Sequence, residues 1–109
     1  MTASEKIREL LAEMSQGEKA QLLQWVARDL GAAFPGIDIM PDVCGGLPHI
    51  VRTRIPVWLL VAARNQGASE ASLLEAYPTL RAEDLANAWA YYYAHENEIN
   101  LQIQENEVA

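Results

Sequence analysis

The sequence is poor in the residues that chemistry uses most. Its 109 positions hold one cysteine, Cys44, and two histidines, His49 and His95. A lone cysteine closes no internal disulfide, which excludes a disulfide-stapled scaffold and fits a reducing compartment. Four-coordinate zinc takes more soft ligands than these three side chains supply. The Cys44-x4-His49 pair lacks the orienting group and oxyanion donors that a nucleophile requires. No catalytic residue, metal or cofactor is expected, and Cys44 reads as a small buried thiol beside a glycine turn. Long apolar runs are missing as well. The longest, "IPVWLLVAA" at 55–63 between Arg54 and Arg64, falls far short of the roughly 20 residues that span a bilayer. The N-terminus is charged from Glu5 and has no apolar leader, so a cytoplasmic chain without membrane segments is expected. Cationic charge is scarce: eight Lys and Arg face 15 Asp and Glu, a net charge of -7. That balance works against binding nucleic acid through bulk electrostatics.

What is present is the composition of one folded domain, half of it hydrophobic. Thr2 with Glu5, and Ser15 with Glu18, each have the spacing of a capping box. Ile7, Leu10, Leu11 and Met14 follow the first on one helical face, and Leu22, Leu23, Val26 and Leu30 follow the second. Gly31 is a natural stop. Residues 1–31 are therefore expected to form a helical hairpin, a dimerisation or packing arm, with "AAFPGIDIMPD" at 32–42 as the linker into a second domain, 32–109.

The stretch "VCGGLPHIVRTRIPVW" at 43–58 opens that domain. Gly45 and Gly46 suit a turn with positive φ. Ile50, Arg52 and Arg54 alternate with Val51, Thr53 and Ile55, the pattern of a short strand that Pro56 ends. A helix is expected from Pro56, at its first position, to Gly67, apolar all round and so enclosed. Ser69 caps a short helix that stops before Pro78, and a last helix starts near Ala82 with Glu83 and Asp84 in its first turn. Beyond His95 the pattern fits a frayed helical continuation or a strand, and His95 itself reads as exposed. Three short helices with such turns have the spacing of a trihelical, helix-turn-helix-like unit.

Read as a series, Gly45, Gly46, Pro48 and Ile50, then Thr53, Arg54, Ile55, Pro56 and Val57, then Gly67 with Ser69, then Tyr77, Pro78 and Leu80 ahead of "AWAYYYAHENEI", resemble the bacterial family named domain of unknown function 433 over about 40–106. The resemblance implies a mainly α fold: a homeodomain-like three-helix unit led by a short β-hairpin. It also implies an antitoxin of a type II toxin-antitoxin pair, often encoded beside a PIN-like ribonuclease toxin. The N-terminal segment is similar to hairpins of small addiction-module proteins. Two positions depart from the pattern. Arg52 stands where relatives commonly have glycine, and Arg81 where they commonly have a capping Ser or Thr, which leaves Thr79 or water to cap the last helix.

The expected protein is non-enzymatic and homodimeric, binds a PIN-like toxin and its own operator as duplex DNA, and has no small-molecule substrate. Arg52, Arg54, Arg64 and Arg81 are the candidate nucleic-acid or partner contacts, against a solvated surface role. Ile99 and Ile103 are candidates for docking the toxin, against a solvated acidic helix face. Trp89, Tyr91, Tyr92 and Tyr93 read as core and interface rather than a base-stacking platform. The other open reading is a homo-oligomeric interaction module without nucleic acid, which the -7 charge favours.

Overall fold

The computed structural model describes residues 2–30 and 33–108; Gly31, the expected stop of the second helix, lies outside them. The chain divides into two compact units, 1–32 and 33–109. The first holds helix α1, Ala3–Glu13, and helix α2, Gln16–Leu30. Both capping boxes form. Thr2 Oγ1 accepts from Glu5 N–H at 3.2 Å while Thr2 N–H donates to the Glu5 carboxylate, and Ser15 and Glu18 exchange the same pair at 3.1 and 2.9 Å. The Ser15 N–H and hydroxyl hold the Glu18 carboxyl below its ordinary pKa. Only Met14, in an extended conformation, and Ser15 separate the helices, so the chain reverses almost without a loop.

The second unit is built on a small antiparallel sheet and four helices. Strand β1, Ile37–Asp38, lies inside the segment expected to be a linker, and it pairs with β2, His49–Ile50, with Ile37 opposite Ile50. Helices α3 (Val57–Asn65), α4 (Glu70–Ala76), α5 (Ala82–Ala94) and α6 (Glu96–Val108) follow. Helix α3, apolar from Val57 to Ala63, packs against both α5 and α6, which accounts for its composition. Val57, Leu60, Val61, Leu85, Ala88, Ile50 and Ile99 are fully buried together there. Leu60 alone, once buried, is worth roughly 2 kcal/mol of transfer energy.

Helix ends follow local chemistry. Gly67, at φ +101, ends α3: its N–H donates to Arg64 O and the Ala68 N–H to Ala63 O. This is a Schellman closure, which a side chain at that φ would strain. Pro56 lies one residue earlier than expected. It is the N-cap, bridged to His49, and α3 begins at Val57, whose N–H donates to Pro48 O. Ser69 caps α4 through Ser72 N–H, and Tyr77 leaves the helical region before Pro78.

Three expectations are corrected. The unit has four helices rather than three, because the chain bends at His95 and restarts as α6. No glycine or proline causes the break. The His95 Nδ1–H donates to Tyr91 O at 3.0 Å, and its ring stacks on Tyr91 at 4.0 Å with Phe34 edge-on. His95 is thus half-buried, not exposed. The expected strand 50–55 is also shorter, for reasons that belong to the candidate site.

Candidate functional site

Residues 48–57 fold back on themselves. Ile50 N–H donates to Ile55 O at 3.0 Å and Val57 N–H to Pro48 O, so the chain reverses over 51–54. Thr53 makes the reversal: its Oγ1 donates to Ile50 O at 2.8 Å and accepts from Ile55 N–H at 3.1 Å. A short side chain that satisfies two backbone groups competes directly with strand pairing. Arg52 and Arg54 therefore stand on a braced turn, not side by side on a strand.

Arg52 adopts φ +65, the left-handed region that a non-glycine residue enters at a cost. It is a conformation that glycine, the residue the resemblance implied there, adopts without strain. In exchange Arg52 reaches a buried acid: its Nη2 lies 3.6 Å from Oδ1 of Asp84, whose side chain is 3% exposed. The other oxygen of Asp84 accepts the Arg81 N–H at 2.8 Å. Asp84, expected in the first turn of the last helix, is thus the reciprocal cap of α5. It serves where Thr79 or water was expected, and it ties the turn 51–54 to that helix. An Arg at the N-cap has no side-chain acceptor, so an acid three residues later was the sequence signal for this role.

The turn forms one wall of an open hollow of about 330 Å³ whose other walls include Asp38, Met40, Val43 and His49. His49 is 2% exposed. Its Nδ1 faces Leu47 O at 3.1 Å, and since a carbonyl only accepts, Nδ1 carries a proton and Nε2 is the ring nitrogen left over. Asp38 was not a sequence candidate, and His49 was weighed only as the second half of the Cys44-x4-His49 pair. Arg54 is exposed on the rim and makes no ion pair, hydrogen bond or ring contact with the described residues.

The remaining candidates are engaged elsewhere. The Arg64 guanidinium lies 4.0 Å from the Trp89 ring centroid, with Tyr93 and Tyr92 at 5.8 and 6.0 Å, a cation–π arrangement on the last turn of α3. Arg81 faces Glu83 at 3.7 Å, both largely exposed, a pair worth less than about 1 kcal/mol. Ile99 and Ile103 are not presented for docking: they are 0% and 9% exposed in the core, because α6 lies against α3. Tyr91 is buried, its hydroxyl facing the Glu98 carboxylate at 3.4 Å, and Tyr92 donates to Asn100 at 2.9 Å. Tyr93 is exposed.

Cys44 is half-buried rather than enclosed. It opens a 3-10 turn in which Cys44, Gly45 and Gly46 all have positive φ. Among the described residues no three His, Cys, Asp or Glu side chains gather where they could hold a metal ion, and no helix is long and apolar enough to cross a membrane.

A second feature is an apolar groove of about 340 Å³ within the helical hairpin, lined by Ile7, Leu10, Leu11, Met14, Leu22 and Val26. None of the described residues of α1 or α2 is buried.

Comparison with known proteins gives three likenesses. A family model described as "Protein of unknown function (DUF433)" matches residues 37–92. An uncharacterised protein of Sinorhizobium fredii (strain NBRC 101917 / NGR234), y4eO, is 39% identical over 67 residues, 62% of this chain. The chain spans only 30% of that relative's length. The crystal structure of a DUF433 member from Anabaena variabilis superposes with a TM-score of 0.67 at 40% identity, covering 95% of this chain and 99% of the other. The family match begins at β1 and ends in α5, so it takes in the braced turn, Asp84 and most of the core, and the chain belongs to the DUF433 family.

Proposed function

We propose that the chain is a non-enzymatic, antitoxin-like protein that binds a PIN-like ribonuclease through Arg54. The observation that carries this reading is the free guanidinium of Arg54 on a turn braced by Thr53. Of the four candidate arginines, Arg52, Arg64 and Arg81 have partners within the chain, and Arg54 has none among the described residues. A cation held on a rigid turn loses little entropy on binding, and its planar fork suits the carboxylates of an acidic nuclease centre. Asp38 and the apolar Met40 and Val43 beside it form a mixed rim for the partner surface around that contact.

Direct binding of duplex DNA is not part of this reading. Residues 33–109 carry four arginines and ten acids, and α5 presents the exposed Glu83 at its N-terminus, where a recognition helix meets phosphates.

The test is titration of the purified chain with a PIN-like ribonuclease encoded beside its own gene. Arg54→Ala is expected to weaken binding by about 100-fold and Arg54→Lys by less, while Arg81→Ala changes little. Equal binding by Arg54→Ala and the unsubstituted chain rules this reading out and leaves an interaction module without that partner.

A further inference from the structure

The hairpin poses a separate problem. A helix pair of about 30 residues lies below the roughly 40 at which a chain folds without oligomerisation, metal or disulfide. Yet both N-termini are fully capped, and the apolar stripes of α1 and α2 converge on one groove instead of facing outward at random. Ile7, Leu10, Leu23, Trp25, Val26 and Leu30 are each between 44% and 69% exposed. Local sequence thus specifies the helices, and nothing within the pair buries their stripes.

We infer that this face is covered by the same face of a second copy, giving a two-fold symmetric four-helix bundle of two hairpins. Three observations select a second copy over other occupants. The first is area. Ile7, Leu10 and Val26, which line the groove, are 51%, 58% and 44% exposed, and a second copy of the same face removes twice that apolar surface from water. The second is charge. Residues 1–31 hold Lys6, Arg8, Lys19 and Arg28 against Glu5, Glu9, Glu13, Glu18 and Asp29, a net -1, whereas the rest of the chain is -6. Two copies therefore meet most cheaply through the segment that is nearly neutral and carries both signs around its apolar stripe. The third is the kind of charge: an interfacial membrane helix has a polar face rich in Lys and Arg, and this one has more acids than bases. A two-fold interface also needs only self-complementarity, which a flat stripe flanked by both signs provides. This inference stands independently of the Arg54 reading.

The experiment is the solution mass of the full chain by light scattering and sedimentation, over a dilution series with far-ultraviolet circular dichroism on the same samples. The unsubstituted chain is expected at twice its 12.1 kDa, with mass and helicity falling together on dilution because the hairpin folds as it pairs. Leu10→Glu and Val26→Glu each enter a two-fold interface twice and are expected to weaken dimerisation by at least about 100-fold. With Trp25→Phe added, which leaves Trp58 and Trp89, the near-ultraviolet signal should stay unchanged in both, which shows that the second unit remains folded. Arg54→Ala stays dimeric. A monomer throughout the micromolar range, a dimer that both glutamates leave intact, or a monomer that instead binds anionic vesicles through this face overturns the inference.

Discussion

The two units of this chain solve the same problem in opposite ways. In residues 33–109 a helix apolar from Val57 to Ala63, α3, is surrounded until Leu60, Val61 and Val57 are completely buried. In residues 2–30 two helices with five leucines, Leu10, Leu11, Leu22, Leu23 and Leu30, bury none of them. The first unit's order rests on capping hydrogen bonds and sequence spacing, the second's on a closed core. Helical periodicity alone does not reveal which kind of helix a stretch encodes, since an amphipathic stripe states only that a face must be covered, not by what. The sharpest way to break the comparison is Ile99→Ala against Leu10→Ala. The first is expected to cost about 3 kcal/mol in denaturant unfolding of the second unit at any protein concentration. The second should cost that unit less than about 0.5 kcal/mol and act only through the concentration dependence of the hairpin. Equal effects would mean that the two kinds of helix do not differ in what holds them.

Close packing also leaves its mark at Gly36. Its φ is +75, and a Cβ added there collides with the Asn87 amide on α5. Gly36→Ala is expected to destabilise the second unit by about 2 kcal/mol, combining left-handed strain with overpacking. Adding Asn87→Ala should return the packing share and leave the strain, a non-additivity that a double-mutant cycle measures. Gly17 of the hairpin unit offers a contrast: a Cβ there meets nothing within 4 Å, so Gly17→Ala is tolerated or mildly stabilising.

These differences explain what the sequence could and could not disclose. Both capping boxes, the Ser69 cap and the Gly67 stop were readable because each depends on residues within five positions of one another, and the enclosed α3 because its own run is apolar all round. The bend at His95 was not, since it arises from an imidazole that binds a carbonyl one turn back and stacks on Tyr91, with Phe34 brought to it from far along the chain. The burial of Asp84 depends on Arg52, 32 residues earlier. The turn at 51–54 looked like a strand because alternation counts side chains and ignores a threonine that closes its own backbone loop. Ile99 and Ile103 had helical spacing, but only the packing of α6 against α3 decided that they face inward.

Alkaline pH should separate the units. All four tyrosines lie in the second. Burial first, then the negative charge of Glu98 and its hydrogen bond, push the Tyr91 hydroxyl up to about 12. The folded chain holds a proton that the unfolded chain releases near 10, so this contribution is fully present below pH 10 and is lost as pH rises towards 12. The slope is at most about 1.4 kcal/mol per pH unit. Thermal unfolding of the second unit should steepen its pH dependence over that window, and Tyr91→Phe should flatten it. An unchanged slope in Tyr91→Phe would assign the alkaline loss to another group.

The smallest effect tests the most local claim, that Arg52 occupies a glycine position. Arg52→Gly removes the strain of φ +65 and the ion pair with Asp84 together. Since the arginine is half-exposed, the pair is worth less than about 1 kcal/mol, and the variant should unfold within about 0.5 kcal/mol of the unsubstituted chain. Arg52→Ala loses the same ion pair but keeps the strain, so it should be less stable than Arg52→Gly by about 1 kcal/mol. The order of the two variants decides the matter, because any role of Arg52 in holding Asp84 cancels between them. If alanine equals glycine here, the positive φ is not a property of the turn in solution, and Arg54 loses the rigid support that its proposed contact requires.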